Sequence, residues 1–125
     1  MTAGGLPLER LIRTGLLYDF YGGLLTDKQR KALELYYYED WTLAEIAAEE
    51  MVSRQAIHDL IHRSERIMEE YETKLGLMER FLTQQDILKK MSKQLDQLIQ
   101  TIPEGQMGYK ELINIKSQIS QLTEE

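Results

Sequence analysis

Seven side chains between residues 54 and 66 have types and spacings suited to touching a nucleic acid: Arg54, Gln55, His58, Asp59, His62, Arg63 and Arg66. If this stretch is helical with Ile57, Leu60 and Ile61 turned inward, then Arg54, Gln55, His58, Asp59 and His62 share the outward face. An arginine can bridge the two acceptors of a guanine and a glutamine can bridge an adenine, each through paired hydrogen bonds. Arg63 and Arg66 add charge. Thr42 and Ser53 each stand where a helix would begin, so backbone N–H groups there can meet phosphate oxygens. Asp59 works against this chemistry, because a carboxylate among the readers repels phosphate. DNA and RNA fit these residues equally well, and the same face also reads as an ordinary solvated helix side.

Other reactive side chains point to less. His58 and His62 are four apart on one face, a spacing that can hold zinc, but two ligands do not make a site and the sequence assigns no third. No metal and no cofactor is expected. Histidine changes charge between about pH 5 and 8, so protonation would make this face more basic and tighten a nucleic-acid contact at lower pH. Tyr36, Tyr37, Tyr38 and Trp41 form an aromatic cluster. Unpaired bases can stack on such rings, yet core packing is their commoner use, which leaves Tyr38 and Trp41 as the exposed candidates. Nothing supports catalysis: Gly22-Gly23 and Gly4-Gly5 lack the pattern of a phosphate-cradling loop, and no nucleophile–base constellation stands out. With no cysteine, disulfides, thiolate metal sites and cysteine nucleophiles are excluded.

These residues need a scaffold, and hydrophobic periodicity supplies one. Leu8, Leu11, Ile12, Leu16 and Phe20 recur at helical steps over residues 7–21, with Pro7 in the first turn and Gly22-Gly23 ending the helix. Thr26 caps a helix over 27–38 that turns Leu33, Tyr36 and Tyr37 inward. Thr42 and Glu45 form a capping box for a helix over 43–50, whose inner face is Leu43, Ile46 and Ala47. Met51-Val52 break the chain, and Ser53 caps a helix over 54–75 that Gly76 ends. Beyond it, Phe81, Leu88, Met91, Leu95, Leu98 and Ile102 fall on a heptad seam with Gln84 in the remaining position. Pro103-Glu104-Gly105 make a turn, and Leu112, Ile115, Ile119 and Leu122 continue on a second amphipathic helix. Two such helices joined by a short loop read as an antiparallel hairpin with little core of its own, to be covered by the rest of the chain or by a second copy.

Charge sets a constraint on function. The chain of 125 residues carries a net charge of −6. Residues 25–75 hold seven basic and twelve acidic side chains, a balance of −5. Phosphate neutralisation by Lys and Arg supplies most nucleic-acid affinity, so the stretch with the best recognition residues is the least suited overall to a polyanion. Arg10 and Arg13 interrupt the apolar start, which resembles neither a signal peptide nor a spanning helix, and a cytoplasmic protein without membrane insertion is expected.

The central stretch resembles region 4 of bacterial sigma factors: Leu25-Thr26, Gln29-Arg30, Leu33, Glu45-Ile46-Ala47, Val52-Ser53 and Ile57 follow that pattern. A closer resemblance is to the small YlxM-like family. It rests on Tyr18-Asp19-Phe20-Tyr21, Leu25-Thr26-Asp27-Lys28-Gln29, Tyr36-Tyr37, Glu45-Ile46-Ala47, Val52-Ser53-Arg54-Gln55-Ala56, Asp59, Arg63, Glu69-Glu70-Tyr71-Glu72 and Lys74-Leu75, and covers roughly residues 11–82. The resemblance implies a sigma-region-4-like helix-turn-helix with a helical C-terminal extension. It also implies a regulatory or accessory role in the signal recognition particle pathway, with that particle's RNA or protein as partner. One departure falls at the corner, where the family usually has an aromatic or aliphatic residue followed by Asn and this chain has Glu50-Met51. Either Met51 supplies the missing apolar contact through a shifted turn, or the corner is loosened.

The sequence therefore predicts an all-α protein that is not an enzyme. Residues 1–76 form a domain containing the helix-turn-helix, with Thr42, Ser53, Arg54, Gln55, His58, His62, Arg63 and Arg66 as its nucleic-acid-binding set. Residues 77–125 form a C-terminal helical hairpin for packing or homodimerisation through Phe81, Leu88, Met91, Leu95, Leu98, Ile102, Leu112, Ile115, Ile119 and Leu122. The alternatives are a sequence-specific transcription regulator and a protein-interaction module that has lost nucleic-acid binding.

Overall fold

The computed structural model describes residues 7–123, which places Gly4-Gly5 outside the described residues. The described residues form helices and turns with no strand. The helices are α1 (Leu8–Tyr21), α2 (Asp27–Leu33), α3 (Leu43–Glu50), α4 (Arg54–Leu75), α5 (Leu77–Thr101) and α6 (Tyr109–Leu122). A short 3₁₀ turn, Gly22–Leu24, follows α1, and a π turn, Glu34–Tyr38, follows α2. The chain divides into two compact units, Met1–Met78 and Glu79–Glu125.

Local chemistry fixes the starts of the helices in the first unit. Pro7 precedes α1 in extended conformation, one position earlier than a first-turn proline. Thr26 and Thr42 each form a reciprocal capping box, with Gln29 and Glu45 respectively, and Ser53 Oγ accepts the Ala56 N–H at 3.0 Å. Each box satisfies two N–H groups that a helix start otherwise leaves open.

Met51 closes α3 in the left-handed conformation, with φ 55° and ψ 45°. The Val52 N–H reaches back to the Ala47 carbonyl at 3.0 Å, so the corner is closed by backbone bonds of Schellman type. The Met51 side chain is 90% exposed and makes no apolar contact with the core. The corner is therefore neither shifted nor loosened; a methionine occupies a backbone position that favours Gly or Asn.

The core gathers Leu17 and Tyr21 of α1, Leu25, Ala32 and Leu33 of the α2 region, Leu43, Ile46 and Ala47 of α3, Ile57, Ile61 and Met68 of α4, and Met78. Full burial of one such aliphatic side chain contributes about 1.5–3 kcal/mol. Ion pairs align α1 along α4: Arg10 meets Glu65 at 3.0 Å and Arg13 meets Glu69 at 2.6 Å. At the far end of α4 the Tyr21 hydroxyl, fully buried, donates to Glu72 Oε1 at 2.5 Å. The same oxygen accepts the Met78 N–H at 2.9 Å, and the Tyr21 oxygen accepts the Leu77 N–H at 3.2 Å. A buried carboxylate thus ties α1, α4 and the start of α5 together beside Gly76, whose φ of 63° ends α4.

The π turn changes the aromatic cluster. One extra residue in the helix rotates the side chains after Leu33, so Leu33 is buried while Tyr36 and Tyr37 are only half-buried. The Tyr37 hydroxyl donates to Glu65, and burial pushes that hydroxyl well above the ordinary tyrosine range. Tyr38 is exposed with its ring 5.8 Å from that of Tyr18. Trp41 is half-buried against the core, which corrects its placing among the exposed rings.

In the second unit α5 and α6 pair as an antiparallel hairpin. Gln85 Nε2 donates to the Leu122 carbonyl at 2.9 Å, and Lys116 pairs with Asp96. The more buried positions along the seam are Phe81, Gln85, Leu88, Ser92, Leu95 and Ile99 of α5 and Ile102 just past it, matched by Leu112, Lys116 and Ile119 of α6 and Thr123 just past it. This is a heptad seam, but shifted from the one that the apolar residues alone suggest. Phe81, Leu88, Leu95 and Ile102 belong to both registers, whereas Ser92 and Ile99 replace Met91 and Leu98. Met91 and Leu98 are left 43% and 47% exposed, and Ile115 and Leu122 of α6 are 42% and 63% exposed.

Candidate nucleic-acid interface

Helix α4 presents the predicted readers as one surface. Arg54, Gln55, Asp59, His62, Arg63 and Arg66 are exposed and His58 is half-buried, while Ile57 and Ile61 on the opposite side are buried in the core. The outward direction of the face follows from that inward anchoring. Ala56 and Leu75, apolar residues of the same helix, are exposed.

Hydrogen bonds within the face define what it can offer. Asp59 is its hub: Oδ1 accepts Gln55 Nε2 at 2.9 Å and lies 3.4 Å from His58 Nδ1. The Gln55 amide, followed by His58, holds the Asp59 carboxyl below its ordinary value. Gln55 must therefore leave Asp59 to bridge a base. His62 Nδ1 donates to the His58 carbonyl at 2.9 Å, and the two imidazole centroids are 4.0 Å apart. Among the described residues no three metal-ligating side chains converge.

The helix starts differ from each other. The Thr42 N–H is donated to Glu45 Oε1 at 2.8 Å, and this bond holds the Glu45 carboxyl below its ordinary value. A phosphate at α3 would have to displace a carboxylate. At α4 the Ser53 side chain caps only the Ala56 N–H. The N–H groups of Arg54 and Gln55 have no intrahelical acceptor, so α4 is the helix start open to an anion.

The charge distribution also becomes clearer in space. Seven of the twelve acidic residues in 25–75, Asp27 and Glu45 among them, are engaged by partners outside the reading face. Glu65 and Glu69 pair with α1 arginines, Glu34 takes the Tyr18 hydroxyl, Glu50 pairs with Lys31, and Glu72 is buried. Arg54 and Arg66 hold no ion pair within the described residues, and Arg63 has only a through-space attraction to Asp59. The outward face of α4 thus carries three arginines against Asp59, although the unit as a whole is acidic.

Beside this face lies a groove of about 420 Å³ lined by apolar Leu35, Ile46, Val52, Ile57 and Leu60 and by charged Lys28, Lys31, Arg63, Glu50 and Asp59. Sequence patterning did not reveal it, because Ile46, Ile57 and Leu60 read as ordinary core positions and Val52 as part of the break. On the other flank of α4, a smaller cleft of about 160 Å³ brings His58 and His62 next to Tyr36, Tyr37 and Glu65.

Comparison with known proteins agrees with this architecture. Residues 8–106 match the family UPF0122, described as "Putative helix-turn-helix protein, YlxM / p13 like". The match takes in all of α5 and stops short of α6. The UPF0122 protein of Halalkalibacterium halodurans is 47% identical over 89 residues, covering 71% of this chain and 82% of the relative. That of Exiguobacterium is 46% identical over 91 residues, covering 73% of this chain and 85% of the relative. The UPF0122 protein of Streptococcus gordonii is 44% identical over 88 residues, covering 70% and 80%. Among the described residues no helix is long and apolar enough to cross a membrane.

Proposed function

Because the chain belongs to the UPF0122 family of YlxM/p13-like helix-turn-helix proteins, we propose that it is a regulatory or accessory protein that contacts nucleic acid through the outward face of α4. The observation that carries this reading is the set of exposed arginines, Arg54, Arg63 and Arg66, which sit with Gln55 on a helix anchored by buried Ile57 and Ile61. Arg54 and Gln55 read bases, the open start of α4 takes a phosphate, and Arg63 and Arg66 supply charge. The family resemblance implies the signal recognition particle pathway as the setting, which makes that particle's RNA the first ligand to try. A transcription regulator would use the same face on duplex promoter DNA.

A protein-contact reading draws on the groove beside α4. Its apolar lining, with Lys28, Lys31 and Arg63 beside Glu50 and Asp59, suits a peptide segment that presents aliphatic side chains. In the hairpin, the exposed Met91, Leu98, Ile115 and Leu122 suit a second copy of the chain, giving a homodimer.

One binding panel at fixed salt separates these readings: duplex promoter DNA, signal recognition particle RNA and the particle's GTPase subunit. Arg54→Ala combined with Gln55→Ala abolishes binding to whichever nucleic acid the α4 face contacts. Binding that is confined to the GTPase subunit and indifferent to the double variant moves the function to a protein surface.

A further inference from the structure

Net acidity in the first unit raises the question of where phosphate grip comes from, and the second unit offers a place. Between α5 and α6 runs a groove of about 550 Å³ lined by Asp86, Lys89, Lys90, Ser92, Lys93, Asp96, Lys116, Ser120 and Thr123. No aliphatic or aromatic side chain lines it. Its charged lining is four lysines against two aspartates, and one of those, Asp96, is already paired with Lys116. Lys89, Lys90 and Lys93 are exposed and hold no ion pair within the described residues.

The arrangement follows from the register of the hairpin. With Gln85, Leu88, Ser92, Leu95 and Ile99 turned toward α6, Lys89 and Lys93 fall together on one flank of the seam, one helical turn apart. Their stems start about 6 Å apart along the helix axis. Ser120 of α6 faces them with a hydroxyl group that donates to phosphate oxygens, while the Thr123 hydroxyl is donated to the Ser120 carbonyl. The opposite flank carries Met91 and Leu98, so cations and apolar residues are segregated onto different sides.

We propose that this lysine groove is a second, sequence-independent contact that grips the phosphate backbone of a nucleic acid. The proposal rests on the nucleic-acid reading above. It assigns the electrostatic share of the affinity to the groove, whose four lysines outnumber its two aspartates. A nucleic acid fits better than a membrane: a lipid surface is held by apolar side chains inserted beside the cations, and the groove has none. RNA and DNA backbones present the same phosphates, so the choice between them is an experimental arm.

The test measures affinity as a function of salt for the full chain with a 20-base-pair RNA duplex, a DNA duplex of the same sequence, and vesicles of phosphatidylglycerol and phosphatidylcholine. Each lysine–phosphate contact on duplex DNA contributes about 0.9 to the slope of log affinity against log salt. Lys89→Ala with Lys93→Ala lowers that slope by about 2 and weakens binding uniformly across sequences. Both substitutions are at exposed helix positions, and circular dichroism verifies that the fold is kept. Arg54→Ala with Gln55→Ala is measured alongside. A lysine variant with the wild-type slope, beside an arginine–glutamine variant that has lost binding, overturns the groove and leaves the α4 reading standing. The converse pattern supports the groove and removes α4. Failure of the unaltered chain to bind either duplex overturns both, as does binding to vesicles alone.

Discussion

The buried junction of Tyr21 and Glu72 gives a prediction whose size follows from the geometry. Tyr21→Phe preserves the ring, its burial and its stacking on Tyr71 at 5.9 Å, and removes one oxygen. That oxygen donates to a buried carboxylate at 2.5 Å and accepts the Leu77 N–H at 3.2 Å. Loss of a hydrogen bond to a charged partner costs about 1.5–3 kcal/mol. Glu72 keeps the Met78 N–H, which moderates the loss, and Leu77 lies at an exposed position where water replaces the phenol oxygen. The expected cost is about 2 kcal/mol. Trp41, the one tryptophan of the chain, lies half-buried in the same unit and reports its unfolding by fluorescence in urea. The variant should lose that stability with an unchanged m-value, since the surface exposed on unfolding stays the same. A loss under about 0.5 kcal/mol would refute the idea that this carboxylate is a strong tie, because surface substitutions alone fall within that range.

Three further outcomes are expected. Met51→Gly relieves a left-handed methionine at a fully exposed position and should raise stability by up to about 1 kcal/mol, measured by the same urea titration. Glu69, held below 4.5 by its hydrogen bonds from Arg13, and Glu45, held below 4.5 by the Thr42 N–H, both bind protons less readily folded than unfolded. Their contributions are therefore present above about pH 4.5 and lost as pH falls through the lowered values, so thermal stability should decline on that side and the decline should shrink in Arg13→Ala. Asp59→Asn frees the recognition face of its carboxylate while keeping an acceptor for Gln55, and should tighten binding to a duplex severalfold in fluorescence anisotropy.

Much of the fold was legible because local signals agreed. Thr26, Thr42 and Ser53 read as caps from residue type alone, and each side chain accepts the backbone N–H three residues on. Where signals were degenerate the sequence could not decide. The π turn at Glu34–Tyr38 inserts one residue into an aromatic run that is apolar on several sides, so no periodicity marks it. Glu72 belongs to an acidic series, Glu69-Glu70 and Glu72, that looks like a solvated flank; only the approach of Tyr21 from α1 makes it a buried partner. In the hairpin two heptad registers share Phe81, Leu88, Leu95 and Ile102, and a polar Gln85 and small Ser92 mask the register that the helices adopt. For the reading face, residue types gave its membership, and geometry added the Asp59 hub and the difference between a start of α3 closed by Glu45 and an open start of α4.

The most direct test of the central proposal is backbone amide mapping by NMR during titration with signal recognition particle RNA and, separately, with duplex DNA. Contact through α4 predicts that the largest shifts fall on Arg54, Gln55, His58 and His62, with the Arg54 and Gln55 amides moving most because they face the anion at the helix start. Shifts that leave residues 53–66 untouched at saturation would contradict it.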